Sequence, residues 1–222
     1  MTLSIYTVCS EFFLKDHINP LSCFYFYYSR RTHYSISFSQ VTNSRTMPTF
    51  HSKTDPEILT QFEKDIKDVH LIYDYAAHDA NGNPEKWKYE MWFAHPTLIV
   101  YAIHGGPMAG RLNYQRCSYQ CIRPGELWQC NWLEETGTIC SLVYDIPNKK
   151  ISTLLGFSQG HWEHAKEAHG DKRNPADFER WRKLGKIGGP TDRYMLNEQA
   201  DILEEFRGKG NLQPVDEDVE TI

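Results

Sequence analysis

The chain has 222 residues, 40% hydrophobic and 14% aromatic, with a formal net charge of −5. That length suits one domain with a segment to spare, and the apolar content excludes an intrinsically disordered protein. The charge shows no basic stripe, and no apolar run reaches the roughly 18 residues of a membrane helix, so neither a nucleic acid nor a membrane is an expected partner.

Residues 1–46 differ from the rest. Lys15, Arg30, Arg31 and Arg45 stand against Glu11 and Asp16, so this segment carries +2 and the other 176 residues −7. It is serine-rich and shows no helical or strand period. Glu11, Lys15, Asp16 and His17 break up any signal-peptide core. The segment reads as an extension upstream of a working start at Met47, or else as an organelle-targeting segment. The lack of amphipathic periodicity favours the first.

The remaining elements follow in chain order. Thr54 to Lys67 is helix-like, with Thr54 or Asp55 as cap, Pro56 in the first turn, and Ile58, Leu59, Phe62 and Ile66 on one stripe. The period then changes to two. Leu71, Tyr73 and Tyr75 form one strand face, and Trp87, Tyr89, Met91 and Phe93 the next, across the turn Ala80–Pro84. Further strands run over 98–104, 111–122, 126–134, 138–145 and 150–157, separated by Gly- and Pro-rich turns. Seven strands with tight turns and no intervening helices predict an antiparallel sandwich or a small barrel with an interior pocket. The C-terminal third turns helical in pattern. Pro175–Leu184 has Asn174 as cap, and Tyr194–Arg207 has Leu196, Ile202, Leu203 and Phe206 as a buried side. The tail from Val215 is acidic and expected to be disordered.

Six tryptophans and 13 tyrosines suit a pocket for an aromatic ligand, or simply strands. Tyr73 and Tyr75 point the same way, which makes a two-donor clamp if they face inward and core packing if they do not. Glu134 shares a strand face with Trp128, Cys130 and Trp132. Desolvation there favours a neutral carboxyl able to act as a general acid, unless Glu134 reaches water at the following turn. Arg111 at a strand start can hold a carboxylate by paired hydrogen bonds, or lie on the surface. His104 ends an apolar strand, where a structural histidine is the commoner case. The glycines before Arg111 lack the Lys-Ser/Thr of a phosphate loop. His161-Trp162-Glu163-His164 has neither metalloprotease order, so no metal is expected. The six cysteines form no C-x-x-C pair; four lie in strand-like text and fit small buried side chains, and the usage suits a reducing, cytoplasmic setting.

Four linked motifs, in one order, carry a resemblance. They are Ile72-Tyr73-Asp74-Tyr75, Trp87-Lys88-Tyr89-Glu90, Ile103 to Arg111, and Asn131 to Thr138. From about residue 70 to 160 the chain resembles the phenolic acid decarboxylases. The resemblance implies a mainly β, lipocalin-like antiparallel barrel with flanking N- and C-terminal helices. It implies a homodimer without metal or organic cofactor, and a small phenolic acid as substrate. It assigns catalysis to Glu134, Arg111, Tyr73 and Tyr75, with Tyr89, Trp87, Trp132 and His104 around the substrate. The reaction implied is non-oxidative loss of CO2 from para-hydroxycinnamic acids (ferulic, p-coumaric, caffeic) through a quinone methide. The long loop 76–86 suggests a fungal-type member. Leu112 and Glu135 depart from the short bacterial members and are expected to alter the pocket's wall and mouth. On this reading the domain spans 47–210, with an acidic tail at 211–222. A lipocalin-like carrier of small aromatic molecules is the rival reading. It needs the lined barrel but no Glu134 beside Arg111, and CO2 release separates the two.

Overall fold

The computed structural model describes residues 55–78 and 81–222. The extension 1–46, Met47, the cap candidate Thr54 and the turn residue Ala80 lie outside them. Helix α1, Pro56–Asp65, starts as expected: the Asp55 side chain accepts a hydrogen bond from Glu57 N at 2.9 Å, with Pro56 in the first turn. Its Phe62, and Ile66 just beyond, pack into the core beside Tyr119 and Trp128. Burying each such side chain contributes about 1.5–3 kcal/mol.

Eight strands then follow almost without interruption. They are β1 (Val69–His78), β2 (Pro84–His95), β3 (Leu98–Ile103), β4 (Arg111–Arg116), β5 (Ser118–Arg123), β6 (Leu127–Leu133), β7 (Ile139–Asp145) and β8 (Lys150–Ser158). The expected strand over 111–122 is thus two strands broken at Cys117. After β8 come a short helix α2 (Gln159–Glu163), a 3-10 turn (Ala165–Ala168) and a two-residue strand β9 (Gly170–Asp171). Helix α3 (Pro175–Leu184) and strand β10 (Arg193–Arg207) complete the domain. Helix α3 is capped as predicted, Asn174 accepting from Ala176 N at 3.0 Å.

The expected helix over Tyr194–Arg207 is instead β10. It is hydrogen-bonded on both sides, to β8 and to β1. Helix propensity is worth only tenths of a kcal/mol per residue, whereas β1 and β8 would each be left with an unpaired edge without this strand. Leu196, Ala200 and Ile202 also repeat with the even spacing of a strand and are buried, while Leu203 and Phe206 are exposed. The register shifts opposite Ile72/Tyr73, a bulge that leaves Leu203 as the extra residue in the β1–β10 ladder.

The ten strands form one sheet in the order β5-β6-β7-β8-β10-β1-β2-β3-β4-β9, antiparallel apart from the β4–β9 contact. β4 and β5 stand at opposite ends of this order yet are joined by Cys117 alone. The sheet must therefore curl until its ends approach. The result is barrel-like, but it is not closed by hydrogen bonds, because β4 pairs with β9 rather than β5. The inward faces of the strands form one large core cluster. The acidic tail was expected to be free. Instead Leu212 is buried, and Val215 and Val219 pack on an outer apolar patch of Trp92, Val100, Ala102 and Tyr114. Glu217 pairs with His95 at 2.6 Å. An outward apolar patch on β2–β4 needs covering, and the tail covers it. No helix among the described residues is long and apolar enough to cross a membrane.

Candidate active site

The alternation of β1 and β2 turns three tyrosines inward. Tyr73 and Tyr89 are cross-strand partners, and the ring centroids of Tyr73, Tyr75 and Tyr89 lie 5.2 to 5.9 Å apart. The Tyr75 hydroxyl shares a 2.6 Å hydrogen bond with Thr153 Oγ1. Burial pushes the Tyr73 and Tyr89 phenols well above their usual range, aided by the neighbouring Tyr75. Burial raises Tyr75 too, with hydrogen bonds from Thr153 and Tyr73 working the other way. All three are therefore hydrogen-bond donors at neutral pH.

A charged group sits at the ends of β4 and β6. The tight turn Glu134–Gly137 closes with Gly137 N on Glu134 O at 2.8 Å, and Gly137 supplies the positive φ of 79° that it requires. This turn directs both Glu134 and Glu135 at Arg111. Arg111 is wholly buried, donating from Nη1 to Glu134 Oε2 and from Nη2 to Glu135 Oε1, each at 2.8 Å. Its guanidinium carbon lies 4.3 Å from the centre of the Trp181 ring. Burial works against the charge on Arg111, but the two carboxylates outweigh it and hold its pKa above the ordinary value. Glu134 also accepts from Thr136 Oγ1 at 3.0 Å and from the Tyr101 hydroxyl. The aromatic row Trp128, Cys130, Trp132 is in place, but Glu134 at its end meets a guanidinium as well as a dry wall.

His161, at the start of α2, completes the group. Its Nε2 lies 3.0 Å from Arg111 Nη1, and its Nδ1 lies 2.7 Å from Thr138 Oγ1. Arg111 can only donate, so Nε2 is the acceptor and Nδ1 carries the hydrogen. Burial, then the Arg111 charge, keeps this imidazole neutral well below its usual 6.5. The unfolded chain therefore binds a proton near pH 6.5 that the folded chain refuses, and stability falls as pH falls. This residue should contribute a loss of up to about 1.4 kcal/mol per pH unit below 6.5. Urea titrations across mildly acidic pH should show that limb, and His161→Gln should flatten it. An unchanged limb in the variant would refute the assignment.

Tyr73, Tyr75, Tyr89, Arg111, Trp132 and Glu134 all line one cavity. Trp87 and His104 do not line it. Trp87 faces inward on β2 but lies beneath the Gly105–Gly106 turn, where a Cβ on Gly106 would stand 2.5 Å from its ring. His104 is on the outside, bonded at 2.8 Å to Glu90, which in turn holds the buried His70. Leu112 points away from the cavity into an outer cleft, and Glu135 is sealed behind Arg111, so neither forms the cavity wall. Sequence reasoning passed over Tyr101, Asn113 and His161. Every residue of β3 is buried, so no alternation singles out Tyr101. His161 was weighed only as a metal ligand. Among the described residues no cluster of three or more His, Cys, Asp or Glu could hold a metal ion. Among the same residues, the Arg111 Nε–H and the Trp132 Nε1–H are buried donors without a hydrogen-bond partner.

The model of the family described as phenolic acid decarboxylase (PAD) matches residues 64–214, most of the chain. The chain belongs to the phenolic acid decarboxylase family. It is also 31% identical over 96 residues to the "Phenolic acid decarboxylase PadC" of Bacillus subtilis (strain 168). That match covers 43% of this chain and about half (54%) of the relative's length. The family match takes in every residue of the cavity group, from Tyr73 on β1 to His161 on α2, and also β10. In this phenolic acid decarboxylase family member the strand β10, misread from its own sequence, is thus part of the shared domain.

Proposed function

We propose that the chain decarboxylates para-hydroxycinnamic acids such as ferulic, p-coumaric and caffeic acid to 4-vinylphenols. One observation carries this reading: a buried Arg111–Glu134 pair and three tyrosines line the same cavity. A phenolic acid has an acidic group at each end, and the cavity has a donor group at each end. The two unpartnered donors, on Arg111 and Trp132, suit a ligand rich in acceptors.

The chemistry follows from the substrate class. Loss of CO2 straight from a cinnamate would leave a vinyl anion. An ionised para-hydroxyl instead pushes electrons through the ring and alkene to the carbon bearing the carboxylate. Glu134 gives that carbon its proton, and a quinone methide forms. Cleavage of the C–CO2 bond then returns the electron pair to the ring and restores aromaticity. Tyr73, Tyr75 and Tyr89 stabilise the phenolate by hydrogen bonding in a dry site. If Glu134 is the donor, the substrate's direction follows. The protonated carbon is bonded to the carboxylate, so that carboxylate lies at the Arg111 end and the phenol among the tyrosines.

The enzyme on this reading needs neither metal nor organic cofactor and works as a homodimer, as the resemblance implies, in the cytoplasm that its cysteine usage suits; light scattering tests the dimer. CO2 release tests the reaction. p-Coumarate should be converted and cinnamate, which has no para-hydroxyl, should not. Styrene from cinnamate would overturn the quinone methide. Binding of p-coumarate without CO2 release would leave an aromatic-ligand carrier.

A further inference from the structure

On the side of Arg111 away from the tyrosines lies a second charged layer, with Glu135 and Lys172 fully buried. Lys172 Nζ makes three contacts of 2.9 Å, to Tyr114 O, Gln115 Oε1 and Glu135 Oε2. Three acceptors match the three hydrogens of an ammonium group. The rings of Tyr114 and Phe178 stand 4.7 and 5.4 Å from the same nitrogen. Glu135 receives four donors. Oε1 takes Arg111 Nη2 at 2.8 Å and Asn113 Nδ2 at 3.1 Å, and Oε2 takes Lys172 and Gln115 Nε2. Its four lone-pair positions are filled, so it has no place for a proton of its own. Glu135 is a carboxylate and Lys172 an ammonium, locked together behind Arg111.

The charges of the sealed cluster can then be counted. Arg111 and Lys172 are positive, Glu135 is negative, and Glu134 is the remaining ionisable carboxyl. The other groups around Glu134 are neutral: Tyr101 from β3, Tyr89 from β2, Cys140 from β7, Thr136, and His161 from α2, its Nδ1 3.8 Å away. Asp171 and Arg173, beyond Tyr114, pair with each other at 2.8 Å and cancel. With Glu134 ionised the empty cluster is electroneutral. A substrate carboxylate adds one negative charge, and an unbalanced buried charge is strongly disfavoured. Glu135 cannot accept a proton. Glu134 can, on Oε1, where its partners among the described residues are the Tyr101 hydroxyl and the Cys140 thiol, the latter at 3.8 Å.

We propose that Glu135 and Lys172 are positioning residues that set the site's charge, so that binding of the substrate carboxylate itself draws one proton onto Glu134. This rests on the reading of Arg111 and Glu134 given above. The cycle balances: the carboxylate and a solvent proton enter, that proton passes through Glu134 to the substrate carbon, the proton that the phenol gives to solvent on ionising returns to the product's phenolate, CO2 and vinylphenol leave, and Glu134 is again ionised in a neutral cluster. The acid is loaded only when there is an alkene to protonate.

The test is calorimetry near neutral pH in two buffers of different ionisation enthalpy. The probe is 3-(4-hydroxyphenyl)propanoate, which keeps both ends of the substrate but has no alkene. Its binding to the full-length enzyme should take up about one proton per site. Lys172→Met removes a cation, so Glu134 is already protonated in the empty site and uptake disappears. Glu135→Gln leaves a spare positive charge that balances the ligand, and uptake again disappears. The double variant Lys172→Met/Glu135→Gln restores the count and should restore uptake, a result that merely structural roles would not produce. If one single variant fails to fold, the other, set against wild type and the double variant, still decides, and a single variant that binds the probe with undiminished uptake overturns the proposal. An enzyme that turns over p-coumarate but fails to bind the probe, or binds it without uptake, overturns the proposal. A double variant that binds without uptake overturns it too. An enzyme that neither binds the probe nor releases CO2 sinks the reading of the site itself.

Discussion

Replacing Glu134 with Gln is expected to lower kcat on p-coumarate by about 10²- to 10⁴-fold, the usual worth of a general acid. The substitution is nearly isosteric. The Gln carbonyl can still accept from Arg111 Nη1 and Thr136 Oγ1, which now bond Oε2 at 2.8 and 3.0 Å. Its NH2 would then face Tyr101, whose hydroxyl oxygen can accept. The cluster therefore stays packed and the fold should survive. An amide has no proton to give an alkene carbon, so the loss should appear in kcat rather than in folding. A Gln variant with near-normal turnover would remove Glu134 from the chemistry. A variant that has lost its cooperative melt would show only that the residue is structural.

Arg111→Met should cost both stability and turnover. Met fills much of the volume but leaves Glu134 and Glu135 buried without a guanidinium between them, and His161 Nε2 without its donor. Removing one partner of a buried ionic network typically destabilises by about 3–5 kcal/mol. Denaturant melts of the variant against wild type measure this. A melt unchanged within a few tenths of a kcal/mol would mean that the network is not a support. Arg111→Lys should recover part of the stability, since the charge returns, but not turnover, since one ammonium cannot reach Glu134, Glu135 and His161 in the fork geometry of a guanidinium.

Much of the site was legible because strands place residues by parity. Tyr73 and Tyr75, two apart on β1, had to share a face, as did Trp132 and Glu134. Turn glycines marked where the strands begin and end, and so where Arg111 opens β4 and Glu134 leaves β6. The β10 segment was not legible. Its Leu, Glu and Met residues suit a helix, and its even-spaced inward set is interrupted by the Leu203 bulge. Only the two strand edges waiting on β1 and β8 decide its conformation. Nor could parity find His161, which reaches Arg111 from α2, or Lys172, which reaches Glu135 from the loop after β9.

By itself, the amino-acid sequence determined a β-rich domain and a shared strand face for Tyr73 and Tyr75, because these follow from periodicity over a few residues. The tertiary structure alone decided the rest. It made Glu135 a sealed counter-charge rather than a rim residue, turned His104 outward, laid the tail on β2–β4 and left the barrel open at β4/β5. Each depends on contacts between segments tens of residues apart, and no local pattern encodes which distant charge or edge will be met.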